Sequence, residues 1–477
     1  MGEADRRTIA GGTPGIHLME RAGLAIAEAV ATRWTVRPVT VLCGPGNNGG
    51  DGYVAARRLA DWGWPVTLAQ LGDPARLQGD AAIAAARWTG PVEADGIAAL
   101  AGAGLAIDAL FGAGLARPLD GRAADWVRAL ADSGLPVVAV DMPSGVDGDS
   151  GAVKGVACAA ALTVTFARRK IGHVIGEGLM LSGPVVVADI GIPDAVVASV
   201  AGPIRLNDPA LWRAELPQRR RSDHKYSRGH LLLHAGAMAG AAVLAASAAR
   251  RVGAGLVTVL TDAERTASAL VSYAPGTIVA AEARWPELLA DPRMSPVLIG
   301  PGAGRSDATR TAVIEAAGSG KPLVLDADAL TVFQGEGEAL FGLLDARDVL
   351  TPHAGEFDRL FGRPDAGAAG ADKIARTRAA AALAGAVVLH KGPDTVIAAA
   401  DGRVVVETSG PPSLATAGSG DVLAGIIAGL ISQGMAPFSA AAAAARLHAV
   451  AARNCVKNLV AEDLVTALGD IDSQIVH

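Results

Sequence analysis

"VTVLCGPGNNGGDGYVAARRLA", Val39 to Ala60, passes from a β-branched run through a glycine-rich loop into a helical pattern that extends from Val54 to Trp62. Strand, loop and helix in that order form the first half of a βαβ unit. The rhythm then repeats. "PVTLAQL", "LAIDALF", "PVVAV", "LTVTF" and "PVVVADIGIP" are the next candidate strands, and a helical pattern over Ala123 to Ala131 stands among the segments between them. A mostly parallel, doubly wound α/β sheet is predicted. The amphipathic stretch "IHLMERAGLAIAEAVATRW" before the first strand is predicted to cover one face of it.

The alternation breaks between Ala201 and Asp223, where "LPQRRRSDHKYSRG" carries four arginines and a lysine, and it restarts at "HLLLHAG". Two α/β domains follow from this, 1–202 and 203–477. In the second, "GLVTVL", "SPVLIG", "KPLVLDAD", "DVLTP", "AVVLHKG", "TVIAA" and "RVVVE" read as strands, and alanine-rich helices start at Asp421 and Ser439. No fixed-period repeat is present, and the alanine run near 440–445 reads as helix because alanine is the strongest helix former.

A length of 477 residues exceeds one ordinary core, which agrees with two domains. With 51% hydrophobic residues, 59 glycines and only 4% aromatics, the composition suits strands alternating with alanine-rich helices. A net charge of −6 argues against a generic nucleic-acid or anionic-membrane surface and leaves small molecules as partners. Cys43, Cys158 and Cys455 are isolated and lack zinc spacing, so reduced thiols in a cytoplasmic chain are expected. The N-terminus has no signal-type apolar core, and the glycine- and alanine-rich stretches are interrupted before spanning length. A soluble protein is the expectation.

The first glycine loop can converge backbone N–H groups and a helix dipole on an anion. It is not the GxGxxG dinucleotide fingerprint. Asn47 and Asn48 add side-chain donors and acceptors that a phosphate alone does not need, and an asparagine carbonyl can ligate a cation. The plainer alternative is a tight turn in which Asn and Gly supply positive φ. Asp108 in "IDALFGAGLARPL", and Asp141 and Ser144 in "VDMPSGVDG", also fall at strand ends, where doubly wound sheets bind ligands. Each alone could be a cap or turn former.

In the second domain "TAGSGDVLAG" places Gly418, Ser419 and Gly420 at a helix start, a nest for negative charge developing on a transferring phosphoryl group. Asp421 beside it can take the proton of an attacking hydroxyl. No GK[ST] follows, so the P-loop NTPases are a poor fit. Asp421 could instead be only a helix cap. Lys391 and Gly392 at a strand end suit a phosphate contact, against the alternative of a solvated charge; His353 after "LTP" reads as ligand or turn histidine.

Taken in order, "GPGNNGGDG", "DALFGAGLARP", "VDMPSGVDG", "TFARRKIGH" and "VADIGIP" resemble the NAD(P)H-hydrate epimerase family. The resemblance implies a Rossmann-like sheet that binds NADHX or NADPHX through Asn47, Asn48, Gly49, Gly50 and Asp51. It extends that binding to Gly112, Ala113, Gly114, Leu115, Ala116, Arg117 and Pro118, and to Asp141, the candidate acid/base. It further implies a potassium ion on Asn48, Asp108 and Ser144. The entry segment "RRTIAGGTPGIHLMERAG" starts irregularly, and only "LMERAG" is regular.

The second half is similar to the nucleotide-dependent NAD(P)H-hydrate dehydratases of the ribokinase-like superfamily, through "HKYSRGHLLLHAG", "GPGAG", "LDADAL", "LTPHAGEFDRL", "LHKGPDTVI" and the GxGD signature. That resemblance implies a ribokinase-like α/β/α domain. It assigns the hydrate to Ala241, Gly304, His353 and Asp421, and the nucleotide to Lys391, Gly392, Pro393, Asp394, Thr395 and Gly420. ADP with Mg2+ is the expected donor, Asp421 the base, and a homo-oligomer the expected assembly. Ala354 stands where proline is expected. A GxGD kinase that stops at a phosphorylated product, with a non-catalytic ligand-binding first domain, is the rival reading; a dehydrogenase is weaker because the fingerprint is missing.

Overall fold

A computed structural model describes residues 2–363, 372–455 and 458–469. They fall into two compact units, Met1–Gly202 and Pro203–His477.

The first unit holds seven strands: β1 Val39–Cys43, β2 Val66–Gln70, β3 Val92–Glu93, β4 Leu105–Ala109, β5 Val137–Val140, β6 Leu162–Phe166 and β7 Val185–Ala188. They are all parallel, in the order β3-β2-β1-β4-β5-β6-β7. The order reverses between β1 and β4, which opens a crevice at their carboxyl ends. β1, β4 and β5 are buried along their whole length, as strands covered by helices on both faces must be.

Helix α1, Gly2–Ala10, precedes α2, Gly15–Arg33, and the break between them is the "GGTPG" run, with Gly12 at φ 100°. The irregular entry segment is therefore helical at its start. Ala4 and Thr8 are buried and Arg7 donates to Ser199 Oγ at 2.9 Å, which fixes α1 to its unit.

Helix α3 spans Asn47–Asp61, so it starts seven residues before the Val54 that apolar spacing suggested. Its glycines are helical, not turn formers: none of Gly46, Gly49, Gly50 or Gly52 has positive φ. They are there for close approach. A side chain at Gly49 would collide with the Gly44 carbonyl, and one at Gly52 would stand 2.6 Å from Ala109 and 2.9 Å from Cys43.

Among its described residues the second unit has ten strands: β8 Ile204–Leu206, β9 His230–His234, β10 Leu256–Leu260, β11 Ile278–Ala280, β12 Val297–Ile299, β13 Leu323–Leu325, β14 Val349–Leu350, β15 Val387–His390, β16 Thr395–Ala398 and β17 Val404–Glu407. Their order is β11-β10-β9-β12-β13-β14-β15-β16-β17-β8, parallel except where β16 runs against β15 and β17. The polar stretch after Ala201 thus contains an edge strand. Asn207, just beyond β8, is buried and locked: its Nδ2 donates to Glu407 Oε2 at 2.9 Å and to the Ala442 carbonyl at 2.7 Å, while its Oδ1 accepts from Trp212 Nε1 at 2.9 Å.

Helices α4 Ala239–Arg251, α5 Glu264–Tyr273, α6 Ala354–Phe361, α7 Ser419–Ser432, α8 Pro437–Asn454 and α9 Ala461–Ala467 concern the site. α7 crosses α4 backbone to backbone through Gly425 and Gly429: a side chain at Gly425 would overlap the Ala245 carbonyl, and one at Gly429 would lie 2.7 Å from the Ala249 oxygen. Gly425→Ala is expected to cost about 1–3 kcal/mol, the range for overpacking a tight core. A lowered denaturant midpoint for the second unit, with the first unit's transition unmoved, checks it.

Candidate active sites

In the first unit the carboxyl ends of β1, β4 and β5 bring three sequence-distant stretches together. Asp108 is fully buried near the end of β4. Its carboxylate accepts the Ser144 hydroxyl at 2.6 Å, the Ser144 N–H at 2.9 Å and the Leu110 N–H at 3.2 Å. Burial outweighs these bonds and raises its pKa. The Ser144 hydroxyl also accepts the Phe111 N–H at 2.9 Å and lies 3.2 Å from the Phe111 carbonyl. Gly112 fits where it does because a Cβ would come within 2.8 Å of Asn48 Oδ1 and 2.9 Å of Asp141 Oδ2. Asn48 Nδ2 is buried with no hydrogen-bond partner. Oxygen donors from Asp108, Ser144, Phe111 and Asn48 in one place suit a hard cation without a strong geometric demand.

Asp141 follows β5 at φ 64°, a conformation uncommon outside glycine. Its backbone N–H is held by the Val164 carbonyl at 2.8 Å. The carboxylate accepts the Ala113 N–H at 3.0 Å and the Thr165 hydroxyl at 2.9 Å, and it forms a salt bridge with Lys170. Burial pushes its pKa up, but Lys170 and these donors prevail and hold it below the ordinary value. His173 Nε2 lies 2.7 Å from the Asp141 carbonyl while its Nδ1 accepts the Lys170 N–H at 2.9 Å, so the ring proton is on Nε2. Burial lowers His173 to about 4, and it stays neutral.

Asp51, on α3, is driven the other way. Burial, then the neighbouring Asp141 and Asp5, raise its pKa well above the usual range. One side of the site is thus a stabilised carboxylate and the other a carboxyl group pushed toward its acid form, the separation that marks acid and base partners. A cavity of about 860 Å3 joins them, lined by Asn47, Asn48, Asp51, Asp141, Lys170 and every residue from Gly112 to Arg117. Asp108 and Ser144 are buried beyond its lining. Gly49, Gly50 and Pro118 do not line it. Asp5 does, from α1, and burial raises its pKa. Sequence reading singled out neither Asp5 nor Lys170 as a site residue; Lys170 stood within the quoted "TFARRKIGH" without a role.

In the second unit Gly418, φ 87°, caps α7, and Ser419, Gly420 and Asp421 form its first turn. Asp421 is raised to about 7 by burial and by Asp326, with Lys391 opposing. Lys391 is no solvated charge: its side chain is 19% exposed, 2.7 Å from Asp326 Oδ1 and 3.9 Å from Glu356 Oε2. Burial would lower the Lys391 pKa, but those carboxylates raise it. A Cβ on Gly420 would lie 3.4 Å from Lys391 Nζ and 3.8 Å from Asp326 Oδ2, which places the helix start beside that ion pair.

The turn from Lys391 to Thr395 is closed by the Thr395 hydroxyl donating to the Gly392 carbonyl at 2.7 Å. It is tied down by Lys373, which meets Asp394 Oδ1 at 2.6 Å and the Asp394 carbonyl at 2.9 Å. Gly304, φ 88°, donates to Asp328 Oδ2 at 2.9 Å, and between Asp326 and Asp328 lies Ala327 at φ 47°. Ala241 is buried in the first turn of α4.

His353 caps α6: its Nδ1 accepts the N–H of Gly355 at 3.0 Å and of Glu356 at 3.3 Å, and Glu356 Oε2 accepts the His353 N–H at 2.9 Å. Ala354 is the first helical residue there, a position proline also tolerates, so its presence leaves the turn intact. Asp326, Glu356 and Lys373 were missed by sequence reading. Among the described residues no three His, Cys, Asp or Glu side chains are grouped to hold a metal.

Residues 15–172 match a family model described as the YjeF-related protein N-terminus, and residues 230–473 match one described as NAD(P)H-hydrate dehydratase. A bifunctional NAD(P)H-hydrate repair enzyme of Moorella thermoacetica is 38% identical over 92% of this chain and 88% of its own. One of Coxiella burnetii is 35% identical over 97% of this chain and 96% of its own. The crystal structure of a ribokinase-like superfamily protein from Enterococcus faecalis superposes with a TM-score of 0.51 at 25% identity, over 58% of this chain and 97% of that one.

Proposed function

The chain belongs to the bifunctional NAD(P)H-hydrate repair family, and from that premise we propose that its first unit interconverts the R and S epimers of NADHX and NADPHX while its second dehydrates the S epimer at the expense of ADP. The observation that carries the reading is Asp421: a carboxylate raised to about 7 at the mouth of α7, beside a buried lysine and behind the small residues Gly418, Ser419 and Gly420.

In the first unit, the ring nitrogen's lone pair expels the hydroxyl from the hydrated carbon as Asp51 gives a proton to the leaving oxygen. A planar cation remains, stabilised by the carboxylate of Asp141. Water returns on the other face and loses its proton to Asp141, which inverts the centre. Lys170 and Thr165 keep Asp141 ionised and oriented. A potassium ion held by Asn48, Asp108 and Ser144 would supply a charge that offsets the buried Asp108.

In the second unit, Asp421 takes the proton of the substrate hydroxyl as its oxygen attacks the terminal phosphorus of ADP. The phosphorus–oxygen bond to AMP breaks. The phosphorylated carbon then releases phosphate, which takes up the proton lost from the adjacent ring carbon, giving NAD(P)H. The amides of Gly418, Ser419 and Gly420 receive the charge on the transferring group, and Lys391 to Thr395 hold the nucleotide phosphates. Asp326 and Glu356 are the carboxylates that would hold a nucleotide-bound Mg2+, whose charge neutralises the phosphates.

A cytoplasmic homo-oligomer completes the reading. Among the described residues no helix is long and apolar enough to cross a membrane.

The test is recovery of reduced-nicotinamide absorbance from mixed-epimer NADPHX with ADP, Mg2+ and K+. Recovery of more than the S fraction, faster than spontaneous exchange of the epimers allows, supports both activities. No recovery with ADP or ATP, or accumulation of a stable phosphorylated product, would return the chain to the kinase reading.

A pH dependence follows. The base form of Asp421 is lost as pH falls through its raised pKa, so dehydration of the S epimer should decline below neutrality to about a tenth of its plateau at pH 6. A rate that stays flat from pH 5.5 to 8 would remove Asp421 from the role of base.

A further inference from the structure

A second large cavity, about 930 Å3, lies away from the Asp421 cluster, in a groove formed by α4, α5 and α9. It is not isolated from the site. Gly240, next to the substrate candidate Ala241, opens one end, and the wall at Leu244 touches the catalytic loop: a Cβ on Gly418 would lie 2.6 Å from Leu244 and 3.0 Å from Ala461.

From Gly240 the groove follows α4 to Arg250 and Arg251, ten helical residues or about 15 Å further on. Arg265 of α5 also lines it, against one carboxylate, Glu462. None of the three guanidinium groups makes a salt bridge or hydrogen bond among the described residues, although the chain as a whole is net negative. Tyr273, 78% exposed, stands in the same lining and offers an aromatic face. Arg250 also borders an adjoining cavity of about 490 Å3 that includes Lys225 and Arg228, from the basic stretch that the catalytic reading leaves unused.

A groove that starts beside a residue assigned to the substrate, runs about the length of an extended dinucleotide and ends in guanidinium groups with no partner among the described residues has the chemistry of a site for a phosphate-bearing tail. Guanidinium forks match phosphate geometry, and an exposed aromatic ring stacks on a base. We propose that this groove receives the adenosine-phosphate end of the hydrated dinucleotide, and that Arg250, Arg251 and Arg265 make the second unit favour the 2′-phosphorylated substrate, NADPHX. The proposal rests on the dehydratase reading and adds a substrate preference to it.

The test uses the full chain with the separated S epimers of NADPHX and NADHX, ADP and Mg2+, and compares kcat/KM for the two. Wild type should favour NADPHX by about tenfold or more, the scale of one charge-assisted phosphate contact. Replacing Arg250, Arg251 and Arg265 together by glutamine should remove that preference, mainly by raising KM for NADPHX, and leave NADHX within about twofold.

An unchanged kcat with saturating NADHX in the same variant shows that the second unit is folded. Tyr273→Ala should raise KM for both substrates without changing their ratio. Equal kcat/KM in wild type, or a triple variant that keeps the preference or loses both substrates alike, would overturn the proposal while the dehydratase reading stands. Absence of turnover of either substrate by wild type would overturn both.

Discussion

Asp421→Asn should leave a chain that still interconverts the two epimers yet returns neither to the reduced cofactor. The expected fall in the dehydration rate is about a thousandfold, within the range for removing a general base from a positioned nucleophile. The substitution is nearly isosteric, and Asp421 is held by the helix start at Gly418 more than by its own hydrogen bonds, so the fold should survive. Exchange between purified S and R epimers, followed by chromatography, separates the surviving activity from the lost one. If Asp421→Asn retains more than about a tenth of the dehydration rate, phosphoryl transfer does not depend on this carboxylate.

The second large effect is expected at Asp141. Asp141→Asn should slow epimerisation by about a hundred- to a thousandfold, while dehydration of purified S epimer stays at the wild-type rate. A mixed preparation should then recover in two phases, a fast one equal to the S fraction and a slow one at the spontaneous rate. Lys170→Met distinguishes chemistry from mere charge balance. It leaves the carboxylate in place but removes the cation that keeps it ionised. Loss of a stabilising cation raises the carboxyl pKa, so the epimerisation that remains should need a higher pH. A Lys170→Met protein with the wild-type pH profile would mean that Lys170 does not set the state of Asp141.

Much of the frame was legible in the sequence because strands buried on both faces are written as nearly continuous apolar runs, as in "VTVLC", "PVVAV" and the start of "AVVLHKG". Helix starts were read less well where glycine masks them. "NNGGDG" looks like loop by composition, yet it is the first turn and a half of α3, since its glycines answer to close neighbours and not to dihedral freedom. The residues of the sites that came from motif stretches were found because loops after strands collect at the switch point.

Their partners were not. Lys391 and Asp326 are 65 residues apart, and nothing local in either stretch announces the ion pair that joins them. Asp5 sits in a segment with an unremarkable charge pattern, and only the turn at Gly11 and Gly12 carries it to the cavity.

The lock at Asn207 has a bearing on how the chain acquires its structure. β8 is the first strand of the second unit to be synthesised, but its neighbour is β17, about two hundred residues later, and the amide of Asn207 closes on Glu407 and on the Ala442 carbonyl. Until those residues have emerged, β8 has no partner in its own sheet and the polar arm after it has nothing to hold. The sheet therefore finishes at its edge by recovering its earliest piece, a long-range closure of the kind that slows folding. The apolar flank of β17 is left open to other chains until that piece arrives.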